Sequence, residues 1–244
     1  MKHRTIFAAG LLIFLAGCAT TAPPPATPDA LFKEGETLYS GKKYEDAIEK
    51  WKKAKELATA PDLIARTELN IADAYYANRN YIEAAAAYED FRKFHPDNAK
   101  APYALYRTGL CYVNQITGID TEQTPVKNAV TMFESFLRQY PDSEYAADAK
   151  DKLAECRTKQ LQYEIYVGRF YYRTEKYQAA VNRLEDALVK YHDLKINDET
   201  LYYLGRAYLG LGIRTKGEEA LNRLVNDYPT SRFLPEAKKL LGKN

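Results

Sequence analysis

Three cysteines and three histidines are the side chains of this 244-residue chain best suited to nucleophilic, redox or metal chemistry. Their spacing decides how much of that chemistry is available. Cys111 and Cys156 have no histidine near them in sequence, and His95 and His192 stand alone in separate segments. Neither a thiol–imidazole pair nor a tetrahedral metal set is therefore spelled out locally. The run Gly205-Arg206-Ala207-Tyr208-Leu209-Gly210-Leu211-Gly212 lacks the Lys-Ser/Thr ending of a phosphate loop and the spacing of a dinucleotide fingerprint. Acidic pairs such as Glu45-Asp46 and Glu89-Asp90 alternate with Lys and Arg, as solvated helix faces do. No catalytic residue, metal or cofactor is implied. Cys18 differs, because it ends an apolar stretch where the available thiol chemistry is acylation.

Residues 1–17 carry a basic start, Met1-Lys2-His3-Arg4, followed by apolar and small residues too few to span a bilayer comfortably, which is the form of a secretory signal. Its last step, Leu15-Ala16-Gly17-Cys18, resembles the bacterial lipobox, in which small residues let a peptidase cut before a cysteine already bearing diacylglycerol. Each buried CH₂ of an acyl chain contributes about 0.8 kcal/mol, so three chains make a permanent anchor where one makes a marginal one. By the same resemblance, Ala19 in place of Asp favours the outer membrane. Residues 18–28 form the lipidated cysteine and a linker containing Pro23, Pro24, Pro25 and Pro28, which cannot pack and holds the domain off the lipid. Cys111 and Cys156 then face an oxidising compartment that permits a disulfide. Both fall inside expected helices, a setting that favours small buried thiols.

The formal charge of +2 includes Lys2 and Arg4 of the leader, so the mature chain is neutral and a general nucleic-acid partner is unsupported. Tyr outnumbers Phe by 21 to 9, the bias of surfaces where ring faces meet polar partners.

Internal repeats supply the frame. Phe94-His95-Pro96-Asp97, Gln139-Tyr140-Pro141-Asp142, Lys190-Tyr191-His192-Asp193 and Asp227-Tyr228-Pro229-Thr230 each close a segment. Upstream lie Tyr44-Glu45-Asp46-Ala47, Tyr81-Ile82-Glu83-Ala84 and Tyr177-Gln178-Ala179-Ala180, with Trp51, Tyr88 and Leu184 four residues after the last alanine. This is the tetratricopeptide pattern. Small residues in the first helices (Gly35, Ala72, Gly109, Gly168, Gly205) and the second (Ala47, Ala84, Ala129, Ala180, Gly217) let the paired helices approach. Tyr75, Tyr112, Tyr171 and Tyr208 fill the wedge between them, with Leu38 in repeat one. The expectation is an all-α solenoid of five helix hairpins. Repeat three carries an insertion, Ile116 to Pro125. The first helix of repeat four starts early, near Ser143, and runs through Tyr171. A last segment from Ser231 to Leu241, N-capped by Ser231, closes the open end.

First helices of such repeats line a concave groove. In residues 29–142, repeats one to three, the inward positions hold Phe32, Glu36, Tyr39, Leu69, Asp73, Tyr76, Tyr103 and Tyr106. Aromatic rings and carboxylates of this kind suit an extended peptide. In residues 143–244, repeats four and five with the cap, the matching positions are Ile165, Arg169, Tyr172, Tyr202 and Arg206, a basic lining. Two halves with two partners is the reading this contrast motivates.

The whole chain, lipobox to last repeat, resembles the BamD family of outer-membrane β-barrel assembly lipoproteins. The residues that carry the resemblance are Ala104-Leu105-Tyr106-Arg107-Thr108-Gly109-Leu110, the insertion Asp120-Thr121-Glu122-Gln123-Thr124, the stretch Phe133 to Tyr145, Tyr163-Glu164-Ile165-Tyr166-Val167-Gly168-Arg169-Phe170-Tyr171-Tyr172 and Ala179-Ala180-Val181-Asn182-Arg183. The resemblance implies a non-enzymatic scaffold at the periplasmic face of the outer membrane. Its C-terminal repeats dock on the last POTRA domain of a BamA-like barrel insertase, and its N-terminal repeats engage unfolded outer-membrane proteins. Arg183 matches a family arginine tied to communication with the insertase. Leu57-Ala58-Thr59-Ala60-Pro61 replaces the aromatic-Pro turn of many members, so client contacts of that turn do not transfer. Nor does binding of a further assembly lipoprotein, a partner of some members. Rival readings are a repeat lipoprotein of pilus assembly or cell-envelope coordination, and a lipoprotein enzyme of cell-wall metabolism.

Overall fold

The computed structural model describes residues 26–194 and 196–242. Cys18 and residues 1–25 as a whole lie outside the described residues. Within these, eleven helices follow one another: α1 (Pro28–Ser40), α2 (Tyr44–Leu57), α3 (Pro61–Ala77), α4 (Tyr81–Phe94), α5 (Ala101–Asn114), α6 (Thr124–Gln139), α7 (Ala146–Arg173), α8 (Tyr177–Lys190), α9 (Asp198–Gly210), α10 (Arg214–Asp227) and α11 (Leu234–Leu240). Consecutive helices pack as five antiparallel hairpins, and each hairpin packs on the next. This is the expected α-solenoid.

Local chemistry sets the ends of these helices. Proline occupies the first turn of α1, α3, α5, α6 and α11, where its missing N–H costs nothing. Four hairpin turns share one left-handed residue, at Lys42, Arg79, Glu175 and Gly212, with φ of 61°, 63°, 58° and 75°. The residue after each donates its N–H to a carbonyl five positions back, as in Lys43 to Leu38 and Ile213 to Tyr208, both at 2.9 Å. That is the Schellman closure of a helix C-terminus. Repeat three lacks it, because the insertion intervenes and folds on itself: the Thr121 hydroxyl donates to the Gly118 carbonyl at 2.8 Å.

The small residues of the first helices mark where hairpins close. A Cβ at Gly35 would lie 2.4 Å from Trp51 Nε1, one at Gly109 2.7 Å from Phe133, and one at Gly168 2.6 Å from Leu184. Each large partner stands four residues after the small residue of the second helix. Tyr112 and Tyr208 fill their wedges and send their hydroxyls back to the preceding repeat, to Glu89 at 3.1 Å and to Glu185.

Helix α7 has 28 residues and is ~42 Å long at 1.5 Å per residue. It begins three residues after Ser143 and continues past Tyr171 to Arg173. The closing helix differs more from expectation. α11 starts at Leu234, and Ser231 is not its N-cap. The Ser231 hydroxyl instead accepts the Phe233 N–H at 3.1 Å and donates to Asp198 at 2.6 Å, tying the cap to the start of α9. Cys111 and Cys156 are free, buried thiols in separate parts of the core.

Candidate binding groove

The N-terminal groove is built around one carboxylate. Asp73, on α3, accepts hydrogen bonds from Tyr103 on α5 at 2.7 Å and from Tyr88 on α4. Arg107, on α5, approaches it at 3.9 Å and lies 3.8 Å over the Tyr76 ring, 5.5 Å from Tyr103 and 5.7 Å from Tyr88. A guanidinium in an aromatic cage with a carboxylate beside it is desolvated and its charge is balanced by the rings and the carboxylate, while its buried Nε donates to no acceptor among the described residues. Burial, and then the charge of Asp73, pushes the Tyr88 and Tyr103 phenols well above their ordinary range. They act here as hydrogen-bond donors.

The other expected groove residues separate into open and packed. Glu36 is exposed, and its carboxylate has no partner among the described residues. Tyr39 is half-buried, its ring 5.7 Å from Trp51 and 5.4 Å from Tyr44. Leu69 packs partly into the core beside Tyr88 and Phe91. Tyr106 stacks on Tyr145 at 4.9 Å and donates to Asp148, joining α5 to the first turn of α7. Phe32 does not face the groove: it is buried against Trp51, its carbonyl accepts Trp51 Nε1 at 3.0 Å, and Arg66 covers the ring at 5.0 Å.

In the C-terminal half, Arg206 lies 4.8 Å from the Tyr172 ring and donates to the Tyr202 hydroxyl at 2.8 Å. Tyr202 is buried and stacks on Phe233 at 4.6 Å, so it braces the cap. Arg169 pairs with Glu199 at 3.7 Å, and Glu199 also takes Arg232 at 2.9 Å. The basic lining expected there is therefore partly neutralised from within. Arg183 is on α8, paired with Glu164 and 5.6 Å from the Tyr163 ring, both on α7. The remaining histidines stay apart: His95 Nε2 meets Glu68 at 2.6 Å, and His192 Nδ1 meets the Val189 carbonyl at 3.0 Å. Among the described residues no His, Cys, Asp or Glu cluster could hold a metal ion, and no helix is long and apolar enough to cross a membrane.

The packing changes along α7. The residue two places after the small one in each first helix faces the preceding repeat. Ala74, Cys111 and Ala207 hold that place, each fully buried in the core of the repeat before it. Phe170 holds it in repeat four and is 55% exposed. Repeat four also differs from the others in the early start of α7 and in following the repeat-three insertion. Tyr166 is exposed one turn earlier and, with Ile119 of the insertion, Ile165, Arg169 and Glu199, borders a cavity of about 180 Å³.

Sequence reasoning missed Arg107 as the centre of the groove and Phe170 as an open face. The first was visible as the lone cation among Tyr103, Tyr106 and Tyr112. The second was visible as a bulky ring at a position held by Ala or Cys in repeats two, three and five.

The chain is similar to known proteins over most of its length. The YfiO family model, described as outer membrane lipoprotein, matches residues 24–223. The outer membrane protein assembly factor BamD of Caulobacter vibrioides is 25% identical over 98% of this chain and 81% of its own length. That of Rickettsia prowazekii is 28% identical over 99% and 98%. That of Neisseria meningitidis serogroup A is 30% identical over 70% and 68%. Among solved structures, the TPR2AB domain of yeast Sti1 is similar at 16% identity and a TM-score of 0.43, over 88% of this chain and 84% of that one. A family match over most of a chain built as five helix hairpins has one meaning: the protein belongs to the YfiO family of outer membrane lipoproteins, that of the outer membrane protein assembly factor BamD.

Proposed function

We propose that this chain is a scaffold of the outer-membrane β-barrel assembly machinery, working by binding rather than catalysis. Lipid at Cys18 anchors it on the periplasmic face. The groove of residues 29–142 holds unfolded β-barrel clients, and residues 143–244 dock on the barrel insertase. The observation that carries this reading is the change of surface at α7. Before it, Glu36 and Asp73 stand among tyrosines. From α7 onward, Arg169 and Arg206 hold the same register positions, Arg169 over the uncovered Tyr166 and Arg206 over Tyr172, and Phe170 is uncovered as well. Open rings flanked by arginines make a surface for a folded partner, whereas a groove of rings and carboxylates takes an extended chain. The anchor keeps both near the membrane and raises their effective concentration.

The test is affinity purification of the lipidated protein from solubilised outer membranes. The insertase and barrel precursors are the expected companions. A pilus or cell-envelope machine without the insertase would overturn the proposal. Replacing Cys18 by Ser is expected to release the chain from the membrane fraction, and retention there would refute the lipid anchor.

A further inference from the structure

The repeats allow one inter-repeat notch to be compared with the next. Between repeats two and three the notch is formed by Asp73 and Tyr76 of α3, Tyr88 of α4 and Tyr103 of α5, and Arg107 fills it. Each residue has a register equivalent one repeat earlier. Glu36 stands one place after Gly35 as Asp73 does after Ala72, and Tyr39 four places after it as Tyr76 does. Trp51 occupies the place of Tyr88. The place of Arg107, two residues before the small residue of the next first helix, is held by Asn70. Its side chain is too short to reach over the Tyr39 ring.

The result is an open cavity of about 270 Å³ lined by Glu36, Tyr39, Ser40, Trp51, Asn70 and Asp73. Arg66, the register equivalent of Tyr103, leaves it empty: it turns to Asp62 at 3.4 Å and lies over Phe32. Glu36 has no partner among the described residues, and Asp73 contributes a second carboxylate to the wall. Between repeats four and five the equivalent place is taken by Tyr203, whose ring lies 5.8 Å from Tyr172. Of these three notches, the one between repeats one and two lacks a filling side chain.

We propose that this cavity is a cation subsite, which takes the arginine or lysine side chain of a bound client as the neighbouring notch takes Arg107. The proposal rests on the reading of the N-terminal groove as the client site and names what one position of that groove selects. The incoming cation lies over Tyr39, between the carboxylates of Glu36 and Asp73. An arginine is preferred, because its planar guanidinium stacks on a ring and pairs with a carboxylate at once.

The test uses the mature lipidated chain in detergent and a fluorescein-labelled extended peptide of alternating Val and Thr with one central arginine. The same peptide with citrulline, which keeps the shape and loses the charge, is the control. Anisotropy titration is expected to give about tenfold tighter binding for arginine. N70R, which fills the cavity from within, and E36Q, an exposed change that leaves packing untouched, are each expected to bring arginine binding to the citrulline level with helicity unchanged. Equal affinity for the two peptides, or an arginine preference that survives both substitutions, overturns the subsite while leaving the groove in place. Failure of both peptides to bind overturns the groove reading itself, and the subsite with it.

Discussion

The guanidinium of Arg107 lies 3.8 Å from the centre of the Tyr76 ring, so a side chain of repeat three plugs the groove face of repeat two. The contact joins hairpins that are also linked by hydrogen bonds from Tyr103 to Asp73 and from Tyr112 to Glu89. Replacing Arg107 by Ala leaves Asp73 without its cation and opens the cage. A loss of about 2–3 kcal/mol in urea unfolding is expected. Arg107→Lys should recover only part of it, because an ammonium cannot stack as a plane. An unchanged unfolding midpoint for the alanine variant would remove Arg107 from the centre of the groove.

Helix approach within a hairpin is tested at Gly35. A methyl group there meets the Trp51 ring at 2.4 Å. The overpacking cost of about 1–3 kcal/mol should exceed the gain of about 1 kcal/mol from better helix propensity. Gly35→Ala is thus expected to lower Tm. The opposite sign is expected at Lys42 and Arg79, where a side chain sits at positive φ. Glycine at either should raise stability by about 0.5–1 kcal/mol.

Alkaline pH should weaken the fold. Burial pushes the Cys111 thiol from its ordinary 9.0 up to about 12 and the Cys156 thiol to about 11. The buried phenols of Tyr88 and Tyr103 move in the same direction from 10.0. Below pH 9 folded and unfolded chains hold these protons alike. Above it the unfolded chain alone releases them, so stability falls as pH rises toward the folded values. The urea midpoint should drop between about pH 8 and about pH 10.5, and iodoacetamide at the lower pH should label neither thiol until urea is added. A flat midpoint would contradict the burial.

Charge reversal at Arg183 places a carboxylate against Glu164, its partner on α7. Arg183→Glu is expected to cost on the order of 1 kcal/mol of stability and to reduce the insertase recovered with the chain. The swap E164R with R183E should restore the ion pair and the stability, while insertase recovery stays low. Recovery of both would make Arg183 a brace between α7 and α8 and nothing more.

The hairpins and the place of the long helix could be read from spacing, because small residues facing large ones recur at helical intervals and each hairpin solves the same packing problem. Groove residues were harder to read. Periodicity says that Phe32 and Glu36 share one side of α1, but only the arriving Trp51 decides that Phe32 is covered and Glu36 is not. Cross-repeat partners such as Arg107 over Tyr76 are invisible within a single repeat. Phe170 is exposed at the place where Ala74, Cys111 and Ala207 are buried, a difference that repeat spacing alone does not decide. Ser231 misled for a related reason: its hydroxyl accepts the Phe233 N–H and donates to Asp198 of another helix within a turn, and α11 starts only at Leu234.

The central claim is that one chain presents two partners on two faces, and photo-crosslinking in living cells tests it most directly. A photoreactive residue at Tyr39, in the N-terminal groove, is predicted to capture unfolded β-barrel precursors. The same residue at Phe170, on the uncovered face of α7, is predicted to capture the barrel insertase. Capture of the same protein at both positions, or of precursors at Phe170 and the insertase at Tyr39, would contradict the division of labour.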